Sequence, residues 1–230
     1  MIGTGQETPP AGAAAEGWVR LIGERADVAR GICLFNQNPA DYIDESRREE
    51  FFPPALDAGV WRCERSRRHL SRHILQRIGE GCLELRRPEW PVALLARERL
   101  DRLCLHVTAA LVGARVRRCI SRVDVLKWRE WLSQEAHEFA LTRAGLLPAT
   151  ATEPTVVIED TTALDVGRAW VVAASRGWAE PTAKRFMLKL PAGDFPRSDA
   201  LDGASAWRLV SSVLAIVESR WYSSFATIRD

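Results

Sequence analysis

The chain has 230 residues, 47% of them hydrophobic and 27% charged, with a formal net charge of +2. A globule of that length hides roughly 70–75% of its unfolded surface, so it needs no staple of disulfides or metal. No stretch approaches the roughly 18 apolar residues of a membrane span, and the near-balanced charge is poor for a nucleic-acid binder. The balance conceals a segregation, however. Residues 1–59 hold five basic and ten acidic groups (net −5), residues 60–130 hold 17 and eight (net +9), and residues 131–230 hold ten and 12 (net −2). A basic middle between acidic flanks is either neutralised within the fold or faces an acidic partner.

Residues 1–14 are rich in Gly, Thr, Pro and Ala and read as a disordered tail, with no basic region or apolar core of a secretory signal. Residues 15–230 read as one domain, in which 145–155 is the one place for a sub-lobe boundary. Trp18, Leu21, Ile22 and Val28 suggest a first amphipathic helix from Glu16, closed by Gly31. Asn38 before Pro39 is a good N-cap and first-turn pair, so a short helix is expected over about 39–50, ended or redirected by Pro53 and Pro54. A third helix over 65–78 carries Leu70, Ile74 and Ile78 inward and Arg65, Arg67, Arg68 and Arg72 outward, and Gly79 and Gly81 stop it.

A turn around Arg87–Pro91 opens the stretch that organises the chain, Leu100 to Ala144. No proline interrupts it. Leu103, Val107, Ala110, Leu111 and Ala114 share a helical face, and the pattern resumes at Ile120, Val123 and Lys127 ahead of Trp128, Trp131 and Leu132. An apolar stripe so long predicts one or two central helices under a shell of shorter ones. Its other side carries Arg115, Arg117, Arg118 and Arg122. Residues 145–154 resemble a linker, and Thr155–Ile158 reads as a short strand or a helix start. Asp160 or Thr161 is expected to cap a helix through Leu164, Trp170 and Val171. A helix from Pro181 towards Leu190 follows, then a loop over 191–196, then a last helix capped by Asp202 or Ser205 and running to Trp221. The fold class is mainly α: a compact multi-helix globule around a long central stretch, with at most a minor β element.

Few constellations suggest chemistry. His69 and His73 lie at i and i+4 near Cys63, but Glu64, Glu80 and Cys82 complete no zinc pattern. Cys104 and His106 are two residues apart and so do not face each other on a helix, and Cys119 lies in the apolar pattern. Five Cys without a C-x-x-C pair read as core thiols. Glu159-Asp160 reads as helix capping, and no phosphate-binding glycine loop or nucleophile elbow is present. The residues therefore imply no catalytic, metal or cofactor site. Arg115, Arg118 and Arg122, three and four apart, form the candidate partner-binding face; the same basic middle is the basis of the alternative, a nucleic-acid-binding regulator.

Gly113-Ala114-Arg115-Val116-Arg117-Arg118-Cys119-Ile120, with Arg102-Leu103 ahead and Leu132, Gln134 and Glu135 behind, resembles the central signature of the type III secretion protein K family (SctK, YscK-like). Phe35 to Tyr42, with Pro39-Ala40-Asp41-Tyr42, is similar to that family's N-terminal motif. Lys184 to Pro191, after Trp178, resembles its basic-apolar segment ending in Leu-Pro. Val112 and Asp44 stand where some members carry His. The resemblance implies a non-enzymatic adaptor of the injectisome sorting platform, in the bacterial cytoplasm and peripheral to the inner membrane. Its implied partners are the cytoplasmic domain of an SctD-type ring protein and an SctQ-type pod protein, and through them the stator and ATPase, with no nucleic acid and no membrane insertion.

Overall fold

A computed structural model describes residues 11–147, 161–193 and 202–226. The tail expected over 1–14 lies outside the described residues as far as position 10, as do Thr155–Ile158, Glu159-Asp160 and most of the 145–155 segment. Among the described residues the secondary structure is helical throughout, with no strand, which is the mainly α class expected. No described helix is long and apolar enough to cross a membrane.

The centre is α6 (Arg97–Arg118), 22 residues long. It is buried around nearly its whole girth, through Leu100, Leu103, Cys104, Val107, Ala109, Leu111, Val112 and Val116. Between its charged ends, over Leu103 to Val116, the helix is apolar on every side and must be covered all round. Three helices supply that cover: α8 (Gln134–Thr142), α9 (Ala163–Ser175) and α11 (Gly203–Val217), the last packing on both α6 and α9. Two glycines permit the closest approaches. A Cβ on Gly167 of α9 would overlap the Cys104 carbonyl oxygen, and one on Gly113 of α6 would sit 2.6 Å from Ala144 Cβ.

The central stretch is three helices rather than one or two. α6 ends at Arg118, α7 spans Arg122–Leu132, and α8 follows after Ser133. Cys119 is extended and donates its N–H to Val116 O at 3.2 Å.

Towards the N-terminus, α1 (Ala11–Glu24) and α2 (Ala26–Gln37) replace the single helix expected to stop at Gly31, which sits inside α2. The expected helix over 39–50 is two 3-10 turns, Pro39–Asp41 and Glu45–Glu50. The break falls at Asp44, whose carboxylate accepts from the Ser46 N–H (3.0 Å) and caps the second turn. A short α3 (Ala58–Arg62) leads into α4 (Glu64–Ile78), which ends where Gly79 adopts φ +83°. These elements close a satellite core of Ala40, Ile43, Trp61, Leu70, Ile74 and Leu188.

α5 (Trp90–Ala93) has proline in its first turn. Thr162, not Asp160 or Thr161, caps α9, its Oγ1 accepting from the Asp165 N–H at 3.1 Å. α10 (Glu180–Met187) is the helix expected from Pro181. Asp202 caps α11 through the N–H groups of Ala204 and Ser205. α12 (Ser219–Ser223) returns to α5, with Trp221 Nε1 donating to Pro91 O at 2.7 Å.

Candidate partner-binding surface

The helix break after Arg118 decides what the basic quartet can do. Arg122 opens α7, so Arg115, Arg118 and Arg122 do not share one helical face as their spacing suggests. Arg115 folds over the Trp128 ring, 5.4 Å from its centroid. Arg117 donates to Ala140 O at 2.8 Å and ties α6 to the end of α8. Arg118 and Arg122 are exposed on either side of the corner. Around the signature run, then, Gly113, Arg115 and Arg117 build the corner, and Arg118 and Arg122 stand exposed on it.

α7 has two apolar sides. Trp128 and Leu132 point inward, and Trp131 Nε1 donates to Thr161 O at 2.8 Å. Ile120 and Val123, assigned by the sequence pattern to the buried stripe, point outward instead, as does Leu126. The signal was present in the pattern: apolar residues at 123 and 126 fall on the opposite side of a helix from 128 and 132.

The other two resemblance motifs meet each other. The Tyr42 hydroxyl donates to Phe35 O (2.7 Å), and its ring stacks on Phe35 at 5.2 Å. Lys189 Nζ lies over both rings, 5.1 Å from Phe35 and 5.3 Å from Tyr42, and donates to Ala93 O (2.6 Å) and Leu95 O (2.8 Å). The Asp44 N–H donates to Leu188 O (2.7 Å), and Arg47 Nε to Leu190 O (2.7 Å). The buried Arg185 guanidinium donates to Gly79 O (2.7 Å) and Glu80 O (3.0 Å) and reaches Asn36 O at 3.4 Å. A cleft of about 970 Å³ opens above this knot, between Leu34, Phe35 and Tyr42 on one side and Leu94–Glu98 on the other. The knot spends its polar groups on backbone carbonyls, which makes it a fastening of the two motifs.

The thiols and imidazoles are scattered. Cys63 is exposed at the start of α4, His69 is exposed, and His73 lies 5.0 Å from the Phe52 ring. Cys104 is fully buried, and burial pushes its thiol up. His106 is buried too, with Nδ1 2.8 Å from Arg102 O, and burial holds it below its ordinary value. Cys119 Sγ donates to Arg115 O at 3.3 Å. Among the described residues no three His, Cys, Asp or Glu are grouped so as to hold a metal.

Several basic residues of the middle segment pair with acids. Arg67 meets Asp41 (2.8 Å), Arg68 meets Glu64 (2.9 Å), and Arg97 meets Asp44. Arg102 meets both Glu135 and Glu218. Arg67, Arg97, Arg99 and Arg102 thus meet carboxylates of the acidic flanks, so part of the charge segregation is neutralised within the fold, which weakens the case for a phosphate-tracking surface.

A family model described as YOP proteins translocation protein K (YscK) matches residues 33–212. That range takes in all three motifs and stops inside α11. No curated protein matches the chain, and no solved structure does.

Proposed function

Since the chain belongs to the YscK family of type III secretion proteins, we propose that it is a non-enzymatic adaptor of the injectisome sorting platform. In this reading it stands on the cytoplasmic side of the inner membrane and joins the cytoplasmic domain of an SctD-type ring protein to an SctQ-type pod protein. The pod protein leads on to the stator and ATPase. The family match over 33–212 carries the reading. The α6–α7 corner, where Arg118 and Arg122 stand free of the core, supplies a contact surface that fits it. Arg115 belongs to the same corner and shapes it from beneath by holding Trp128.

The test is co-purification of the full chain with each of the two partner proteins, followed by size exclusion with light scattering at moderate salt. A stable complex is expected with both. Folded protein that binds neither overturns the adaptor role. Reversing Arg118 and Arg122 to Glu should weaken binding and leave the far-UV CD spectrum and Tm near wild type; loss of folding would instead make these arginines structural.

A further inference from the structure

Ile120, in the link between α6 and α7, is 96% exposed, Val123 is 62% exposed and Leu126 is 52% exposed. Val123 and Leu126, three apart on α7, lie in one line, and Ile120 stands exposed just ahead of them in the link, so the three form an apolar ridge along the corner. Their exposure is not needed to seat α7, which already has Trp128, Trp131 and Leu132 against the core. Contiguous apolar surface rimmed by polar groups marks an interaction site. Here the rim is cationic: Arg118 at the end of α6, Arg122 and Lys127 beside the ridge on α7. These three take part in none of the ion pairs formed among the described residues. Helical spacing places Glu130 on the same outer face, and Asp124, also exposed, stands at its side next to Lys127.

We propose that this ridge anchors the partner contact by receiving an amphipathic segment of the partner protein, its apolar side chains flanked by aspartates and glutamates. The inference rests on the adaptor reading and goes beyond it, because it moves the binding energy from the arginines to the apolar line between them. Buried apolar anchors at the centre of an interface set how long a complex lasts, whereas rim charges mainly set how fast and in what orientation it forms. The charge also decides against a second copy of this chain. A two-fold contact would bring Arg118, Arg122 and Lys127 of one molecule against the same cations of the other.

The experiment measures association and dissociation rates of the full chain with the ring protein's cytoplasmic domain and with the pod protein, at two salt concentrations. In the double variant Ile120→Ser, Leu126→Gln, dissociation from one of the two is expected to quicken by about tenfold or more, with association within about twofold of wild type. In Arg118→Glu, Arg122→Glu the expected change is reversed: slower association and a flatter salt dependence. Ile120→Ser alone guards against a folding artefact, since Ile120 belongs to neither helix and touches little. Wild-type complexes that the ridge variants leave with unchanged dissociation rates overturn the ridge and leave the adaptor intact. No wild-type complex with either protein overturns both. Self-association abolished by the double variant gives the ridge to a second copy and overturns the assignment.

Discussion

Lys189 is a cation that burial works against: its pKa is pushed down from 10.5 to about 7. Below pH 7 both the folded and the unfolded chain carry the proton, and the cost of burying it stands in full. Between pH 7 and 10 the unfolded chain holds the proton and the folded chain gives it up, so this residue makes stability rise with pH. Two carbonyls and two ring faces favour the ammonium and limit the rise. Wild type should therefore gain about 1 kcal/mol over Lys189→Met between pH 7 and 9, read as a Tm difference that widens by roughly 2–4 °C. Comparing the two chains cancels Tyr42 and Cys104, whose pKa values burial pushes up and which act in the opposite sense at alkaline pH. Gly167 offers a sharper test. Its missing Cβ is filled by the backbone of Cys104, which cannot swing aside, while Gly113 faces a side-chain methyl. Gly167→Ala should cost about 3 kcal/mol or more and lower Tm by roughly 6–12 °C, with Gly113→Ala milder.

The joint between α7 and α8 carries strain. Ser133 has φ +78° and ψ 159°, a region that suits glycine, and its hydroxyl accepts from the Ala136 N–H at a long 3.5 Å. Ser133→Gly should release about 1 kcal/mol net of the weak cap and raise Tm by roughly 2–4 °C; a fall would show that the cap outweighs the strain. The neighbouring break at Cys119–Ser121 was the hardest element to read from sequence. It contains no glycine or proline, and Cys119 and Ile120 continue the apolar tone of α6, so periodicity runs straight through it. What bends the chain is tertiary: α7 must turn back for Trp128 to reach Arg115 and Trp131 to reach Thr161. For the same reason Arg118 and Arg122 were legible as candidates while Ile120, in the unread link, was not; only the spacing of Val123 and Leu126 against Trp128 and Leu132 carried a signal. Charge announces itself as surface, but an exposed Ile looks in sequence like a buried one. Asn38-Pro39 misled differently, because the proline signal was right and the helix it opens stops after one 3-10 turn to let Asp44 cap the next.

The principal core draws on described residues from Leu21 to Phe225, and helices on both sides of residues 145–155 are packed into it. The family match ends at residue 212, yet Val213, Leu214 and Phe225 are each at most 1% exposed. Each such side chain contributes about 2 kcal/mol on burial, and together they approach the roughly 5–15 kcal/mol that holds a domain folded. A chain cut after Ser212 should lose its near-UV CD signal and elute as an expanded or aggregated species. A truncated chain that keeps a native spectrum would show that the end of α11 and α12 is dispensable.

The knot between the two outer motifs sets an order of events during synthesis. Arg47 is fastened to Leu190, 143 positions later, and Asn36 to Arg185, 149 positions later. At about 5–20 residues per second, Phe35 to Tyr42 waits on the order of 10–30 s on the ribosome before its fastening exists. Until then Phe35 and Tyr42 lack the ammonium that lies over their rings, and the open N-terminal third is what a chaperone, or another nascent chain, would meet first.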